Sequence, residues 1–363
     1  MNTRSSCIYC TKGDPIAVWR TLLNKYNVKS VYANEDYEPY AIKRDQEVAQ
    51  LLHQNDIEFH LFKDQVIFAK DDVLKGDKTP YTVFTPYKNK WLELFAAESL
   101  QDYTSDKNPN FMKFEMPFPE ISDLGFTRSS IKVQNYKLDQ LDDYKTARNF
   151  PAKNLTSYLS PHLRFGTVSI RKVILNIIDN QTFVSELIWR EFFMQILYHF
   201  PKVVGNNFKR KYDGVQWRNN LQEFETWKNG QTGYPIVDAG MRELNSTGYM
   251  HNRVRMVVAG FLCKHLLIDW QWGEAYFAKH LLDFELSSNN GNWQWSAGTG
   301  CDSAPYFRIF NPTEQVKKFD AERTYLKKWI PELDTFDYPA PMVDHKSARA
   351  RALEAYKKGL IGN

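Results

Sequence analysis

Residues 289–312 read NNGNWQWSAGTGCDSAPYFRIFNP, with Trp293 and Trp295 two positions apart among Asn, Gly, Ser and Ala. Small residues let a backbone approach a neighbour closely, and indole rings supply large flat apolar surfaces. On residues alone, the stretch reads as a thin Asn/Gly scaffold that brings two rings to a planar partner. What that partner is depends on the domain the rest of the chain can build around it.

A length of 363 residues allows two domains, or one large one, with a substantial core. The balance of 43% hydrophobic and 25% charged residues is that of an ordinary soluble globular chain. With no apolar run of about 18 residues and no apolar core in the first 30, a membrane span and a secretory signal are not expected. A cytoplasmic protein is expected. The net charge of +4 is compatible with nucleic acid without requiring it. Aromatic content is the departure: 10 Trp, 20 Tyr and 24 Phe are enough for core, interface and stacking on bases or a planar cofactor. Cys7 and Cys10 form a C-x-x-C, but Cys263 and Cys301 stand alone, so no metal site and no disulfide framework is expected.

The first hundred residues alternate between helix and strand patterns. GDPIAVWRTLLNKYN (13–27) offers Asp14 as N-cap and Pro15 at the first helical position, with Ile16, Trp19, Leu22, Leu23 and Tyr26 on one face. KSVYAN (29–34) and IEFHLF (57–62) read as strands around a helix over 41–54, which implies parallel strands with a helical crossover. SSCIYCT (5–11) also reads as strand. Residues 99–130 lose periodicity and carry Pro109, Pro117 and Pro119, as an interdomain linker would. Beyond 131 the pattern is helical, strongest over 175–200, 234–244, 250–267 and 273–282, with Gly233 and Gly248 as breaks. The expected fold is therefore an α/β domain over 1–98, with a partial Rossmann-like parallel sheet, and a larger all-α domain over 131–363.

Three stretches could carry chemistry. In SELIWREFF (185–193), Glu186, Trp189 and Arg190 share a helical face. An exposed Glu–Arg pair beside a core Trp fits, and so does a carboxylate, indole and guanidinium lining a cavity. In GYMHNRVRMVVAGFL (248–262), Asn252, Arg255 and Met256 repeat that spacing, while Arg253 and Arg255 diverge by about 200° around the helix. TSYLS (156–160) can cap a helix or bind phosphate through its hydroxyls. Neither a Gly-rich phosphate loop, nor H-E-x-x-H, nor G-x-S-x-G is present, which removes metal-dependent and serine hydrolysis.

Together, SELIWREFF, TGYPIVDAGMRELNSTGYMHNRVRM and the 289–312 stretch resemble the helical flavin domain of the photolyase/cryptochrome family, most of all the class I bacterial cyclobutane pyrimidine dimer photolyases. The resemblance runs from about 130 to the end. Residues 1–98 resemble the later part of the family's α/β antenna domain without its opening Trp-Phe-Arg-Arg-Asp-Leu-Arg stretch, as though the chain began inside that domain. A second, antenna chromophore is therefore doubtful, and the parallel sheet is expected to be incomplete.

The resemblance implies FAD, active when reduced, held by Tyr144, Thr156, Ser157, Leu159, Ser160, Glu186, Arg190, Asn252, Arg255, Asp283, Glu285 and Asn289. It implies a pocket for a flipped-out dimer made by Glu186, Trp189, Asn252, Met256 and Trp295, and an electron relay through Trp217, Trp270 and Trp293. Arg148, Arg253 and Arg308, with Trp189 and Trp295, would face UV-damaged DNA. Glu285 stands where the family has Asp, and Phe183 where some relatives have Trp. The activity implied is that of a deoxyribodipyrimidine photo-lyase, a carbon–carbon lyase working as a monomer. The alternative is a cryptochrome-type blue-light photoreceptor without repair. Asn252 and Met256, where (6-4) repair enzymes use histidines, point to cyclobutane dimers.

Overall fold

The structure, a computed structural model, describes residues 7–97, 100, 111–112 and 116–361. Contacts divide them into two compact units: residues of 1–67 and 99–132 form one, and residues of 68–98 and 133–363 form the other. Periodicity had grouped 68–98 with the α/β part; in the structure these residues pack with the helical unit.

In the first unit, helix α1 (Pro15–Lys25) begins as its sequence dictates, with Asp14 accepting from the Ala17 N–H at 3.0 Å and Pro15 in the first turn. Strand β1 (Ser30–Asn34), helix α2 (Pro39–His53) and strand β2 (Glu58–Phe62) form one parallel β-α-β unit, in register from Ser30 opposite Glu58 to Asn34 opposite Phe62. Val31, Val48 and Leu52 are its buried centre, with Ile16, Trp19, Leu23 and Phe59 packed around them. This matches the expected strands and crossover to within a few residues. Residues 7–12 are not a strand: among the described residues the sheet is β1 and β2 alone, and Cys7 and Cys10 are free thiols in irregular backbone.

The second unit is helical: α3 (Phe84–Ala97), α4 (Tyr144–Ala147), α5 (Ser160–Arg164), α6 (Ile170–Ile177), α7 (Gln181–His199), α8 (Leu221–Lys228), α9 (Pro235–Thr247), α10 (Asn252–Gly260), α11 (Trp270–His280), α12 (Leu286–Ala297), α13 (Pro312–Phe319), α14 (Thr324–Trp329) and α15 (His345–Ile361). The single segment expected over 175–200 is two helices, because the Asn180 side chain accepts from the Phe183 N–H at 3.0 Å and starts α7 afresh. Gly248, at φ +69°, ends α9 in a left-handed cap that a β-carbon would strain. Beyond Gly260, α10 widens into a π-helical turn, Phe261–His265.

Residues 289–297 of the stretch read as a thin scaffold lie in the helix α12. Its glycine serves a neighbour within the protein: a β-carbon on Gly291 would lie 2.1 Å from the Phe193 ring, so Gly291 is what allows α12 to close on α7. α7 is buried on several faces, by Val184, Leu187, Ile188, Phe192 and Phe193, as its apolar surround predicts. Among the described residues, no helix is long and apolar enough to cross a membrane, and no cluster of His, Cys, Asp or Glu could hold a metal ion.

Candidate active site

Within the helical unit lies a cavity of about 520 Å³, walled by α7, α10, α12 and the 156–160 turn, inside the roughly 300–1,000 Å³ range of small-molecule and cofactor sites. It collects most of the residues singled out from the sequence. Tyr144, Arg148, Thr156, Ser157, Leu159 and Ser160 line it, as do Glu186, Trp189 and Arg190 of α7. So do Asn252, Arg255 and Met256 of α10, and Asp283, Glu285, Asn289, Trp293 and Trp295 in and around α12.

On α7 the cavity reading prevails over the exposed pair. Glu186 is paired with Arg148, from outside its own helix, rather than with Arg190. Burial raises the Glu186 pKa above the usual carboxylate range, against the opposing pull of Arg148. Burial and the nearby Glu186 push the Tyr144 phenol up to about 12. Arg190 is lowered by burial, with Glu285 and Glu191 acting in the other direction.

The α10 side chains are aimed by an unusual cap. Buried His251 accepts from the Arg253 N–H through Nδ1 at 3.2 Å, which requires a neutral ring with its proton on Nε2. Burial, with Arg255, Arg253 and Arg148 close by, holds its pKa down at about 4. Arg255 then turns inward, its Nη2 donating to Asp283 Oδ2 at 2.9 Å and its Nε to the Met250 carbonyl at 2.7 Å. Arg253 turns away, donating to Asn149 and lying 4.5 Å over the Phe319 ring. The two arginines diverge as their spacing requires.

Asp283 Oδ2 also accepts from Ser160 Oγ at 2.7 Å, which joins the 156–160 turn to α10. Glu285 spends its carboxylate on the first turn of α12, accepting from the Ser287 and Ser288 N–H groups at 2.8 and 2.9 Å. Asn289 donates through Nδ2 to the Glu274 carbonyl at 3.1 Å. That fixes the side chain and leaves its amide oxygen as the atom able to accept from a ligand.

Not every predicted residue lines this cavity. Trp270 is buried in the same hydrophobic core as Trp293 and donates to Asn207 Oδ1 at 2.9 Å; Trp217 packs on the margin of that core. Arg308 shares a small adjoining pocket with Met256 and Trp295. Burial lowers the pKa of Arg253, and the charges of Arg148 and Arg308 lower it further. Sequence reasoning missed Tyr158, Tyr249, Arg164 and Phe277 in the wall. Tyr249 donates to Thr156 Oγ1 at 3.0 Å, and Tyr158 sits at φ +52° against its ring. Only the run of hydroxyls beside them pointed in that direction.

The chemistry of the wall suits a ligand that is planar and apolar at one part and anionic at another. Phe193, Phe277 and Trp293 supply flat surface, and Arg148, Arg164, Arg190 and Arg255 supply cations. Asp283 Oδ1 is buried without a protein partner, so the cavity holds an acceptor whose donor must come from a ligand or water. A dinucleotide with a heteroaromatic ring, such as FAD, fits this set.

Comparison with known proteins follows the same lines. Residues 183–337 match the model for the FAD binding domain of DNA photolyase, and residues 1–107 match the model for DNA photolyase. The deoxyribodipyrimidine photo-lyase of Vibrio cholerae is 37% identical over 93% of this chain and 81% of its own length. That of Escherichia coli is 38% identical over 93% and 80%. An archaeal photolyase from Sulfolobus tokodaii, solved with two FAD molecules, superimposes with a TM-score of 0.85 at 36% identity, covering 98% of this chain and 84% of that one. A cryptochrome from Synechocystis gives 0.82 at 26% identity, covering 95% and 83%.

Proposed function

This chain belongs to the photolyase/cryptochrome family, and from that premise we propose how its cavity performs light-driven repair of cyclobutane pyrimidine dimers in DNA. The protein is a deoxyribodipyrimidine photo-lyase that binds FAD. The observation that carries the residue assignments is that one cavity joins the Arg255–Asp283 pair to the side chains expected for the lesion.

FAD would be held by Tyr144, Thr156, Ser157, Leu159 and Ser160 at one part, and by Arg190, Asn252, Arg255, Asp283 and Asn289 at another, with Glu285 stiffening the turn between Asp283 and α12. When bound and reduced, FAD supplies one electron to the dimer under blue light and recovers it after the ring opens. The remaining work falls to side chains. Arg255, oriented by Asp283, would offer its cation to the negative charge of the reduced cofactor. Asn289 offers its amide oxygen.

Trp189 and Trp295 would form flat walls for a pyrimidine dimer that has left the stack, stacking worth about 1–3 kcal/mol per base. Asn252 and Met256 close the pocket between them. Glu186, in its protonated form, would donate to a pyrimidine carbonyl and so stabilise charge developing on the dimer. Arg148, Arg253 and Arg308 would meet phosphates of the DNA backbone, releasing condensed counterions. Trp293, Trp270 and Trp217 lead from the cavity wall to the margin of the core and would carry electrons to oxidised flavin. The working unit is proposed to be a cytoplasmic monomer, which light scattering of the purified flavoprotein would check.

The deciding experiment illuminates the reduced protein with blue light on UV-irradiated DNA and follows thymine dimers by chromatography. Their loss only in the light is expected. Persistence of dimers while flavin is bound and photoreduced would favour the photoreceptor alternative.

A further inference from the structure

Trp189 is a wall of the lesion pocket in the reading above, and one side of its indole is already occupied. Phe84 lies parallel to it, with ring centroids 3.7 Å apart and planes 9° apart. Aromatic pairs free to choose prefer offset or edge-on arrangements with centroids about 4.5–7 Å apart. A face-to-face pair this close is held by the backbones that carry it.

The backbone of Phe84 is well held. Phe84 opens α3, and its N–H donates to Asp302 Oδ2 at 3.0 Å. Tyr87 and Trp91, three and seven residues on, continue the same helical stripe towards α7. Tyr87 packs on Phe192 with centroids 5.2 Å apart, and Trp91 donates from Nε1 to Glu191 Oε1 at 2.7 Å. α3 is thus clamped to α7 along two turns, and the remaining surface of Trp189 lines the cavity.

We propose that Phe84 is a positioning residue for dimer recognition. It immobilises the Trp189 indole before the lesion arrives, and Asp302, six residues from the DNA-facing Arg308, sets Phe84 in turn. Without that backing the indole would keep only its contacts with Phe192 and Phe193, 5.6 and 5.4 Å between centroids, and the substrate would have to order it further, which lowers affinity for the dimer without touching the flavin. The inference rests on the photolyase reading, because it assumes that a dimer meets Trp189.

The test measures binding and repair by the complete flavoprotein on duplexes of one sequence with and without a dimer. Wild-type protein that fails to distinguish the two overturns the photolyase reading itself. Given that discrimination, Phe84→Leu is expected to raise KM for the dimer about tenfold while kcat stays within about twofold. Affinity for undamaged DNA and the flavin spectrum should not change. Phe84→Tyr, which keeps the ring, should behave as wild type. An unchanged KM in Phe84→Leu, or an equal loss of affinity for both duplexes, overturns the proposal. Should Phe84→Leu lose flavin, Asp302→Ala keeps the ring but removes its anchor: a raised KM with undamaged-DNA binding intact supports the proposal, and an unchanged KM overturns it.

Discussion

Arg255 and Asp283 carry opposite charges into the cavity wall, and each depends on the other for its orientation. The Asp283 side chain is 8% exposed and that of Arg255 25%. Removing one partner leaves a desolvated charge, which costs about 3–5 kcal/mol for a buried pair. Asp283→Ala should therefore lower both the melting temperature and the flavin-to-protein absorbance ratio of purified protein. His251 gives a pH dependence with a defined sign. Its pKa falls from 6.5 to about 4 on folding, so the neutral cap contributes fully above pH 6.5 and is lost as pH falls through about 4. His251→Asn, which caps without titrating, should flatten that acid loss in melts recorded from pH 7 to 4. The candidate site residues were legible at this scale because their spacing announced a shared face: 186, 189 and 190, then 252, 255 and 256. The partners were not legible. Nothing local to SELIWREFF says that Glu186 meets Arg148 instead of Arg190.

Among the elements, α12 carries Asn289, Trp293 and Trp295 of the proposed site. Asn and Gly are poor helix formers, so local propensity alone does not favour a helix there. Packing overrides propensity here, because Gly291 permits the approach of α7 and Glu285 caps the first turn. Gly291→Ala should cost about 1–3 kcal/mol by overpacking against Phe193. A second change, Phe193→Leu, should recover part of that loss, read as the difference in denaturation midpoints. Trp293 tests the same helix functionally. It lies edge-on to Phe277 at 4.9 Å, and a β-carbon on Gly273 of α11 would meet its ring at 2.1 Å. Gly273 lies one turn from Trp270, so the face of α11 that receives Trp293 also carries Trp270. Trp293→Phe should slow photoreduction of oxidised flavin by an order of magnitude or more, while repair by pre-reduced protein survives; equal loss of both would remove the relay. α3 was overlooked for another reason: its stripe of Phe84, Tyr87 and Trp91 has meaning only once α7 lies against it.

For the whole molecule, the net charge of +4 hides an uneven distribution. Arg148 and Arg308 both act electrostatically on Arg253, and with these three arginines as the proposed phosphate contacts DNA binding should weaken as salt rises, with a log–log slope of about −0.9 per phosphate contacted. Replacing any one by Ala should reduce that slope by roughly 1, equally for damaged and undamaged duplexes, in a salt titration by fluorescence anisotropy. The sequence by itself determined the order of an α/β part and a helical part, the parallel β-α-β unit, the absence of a long apolar span, and that Glu186, Trp189 and Arg190, like Asn252, Arg255 and Met256, share one helical face. Those follow from local periodicity and capping, which are written in neighbouring residues. Only the tertiary structure decided that residues 68–97 support the helical unit, that 289–297 coil into a helix, that His251 is a neutral cap, and that Phe84 covers one side of Trp189. Each depends on groups distant in sequence meeting in a dense interior, where a missing methyl group or a single ion pair outweighs local preference.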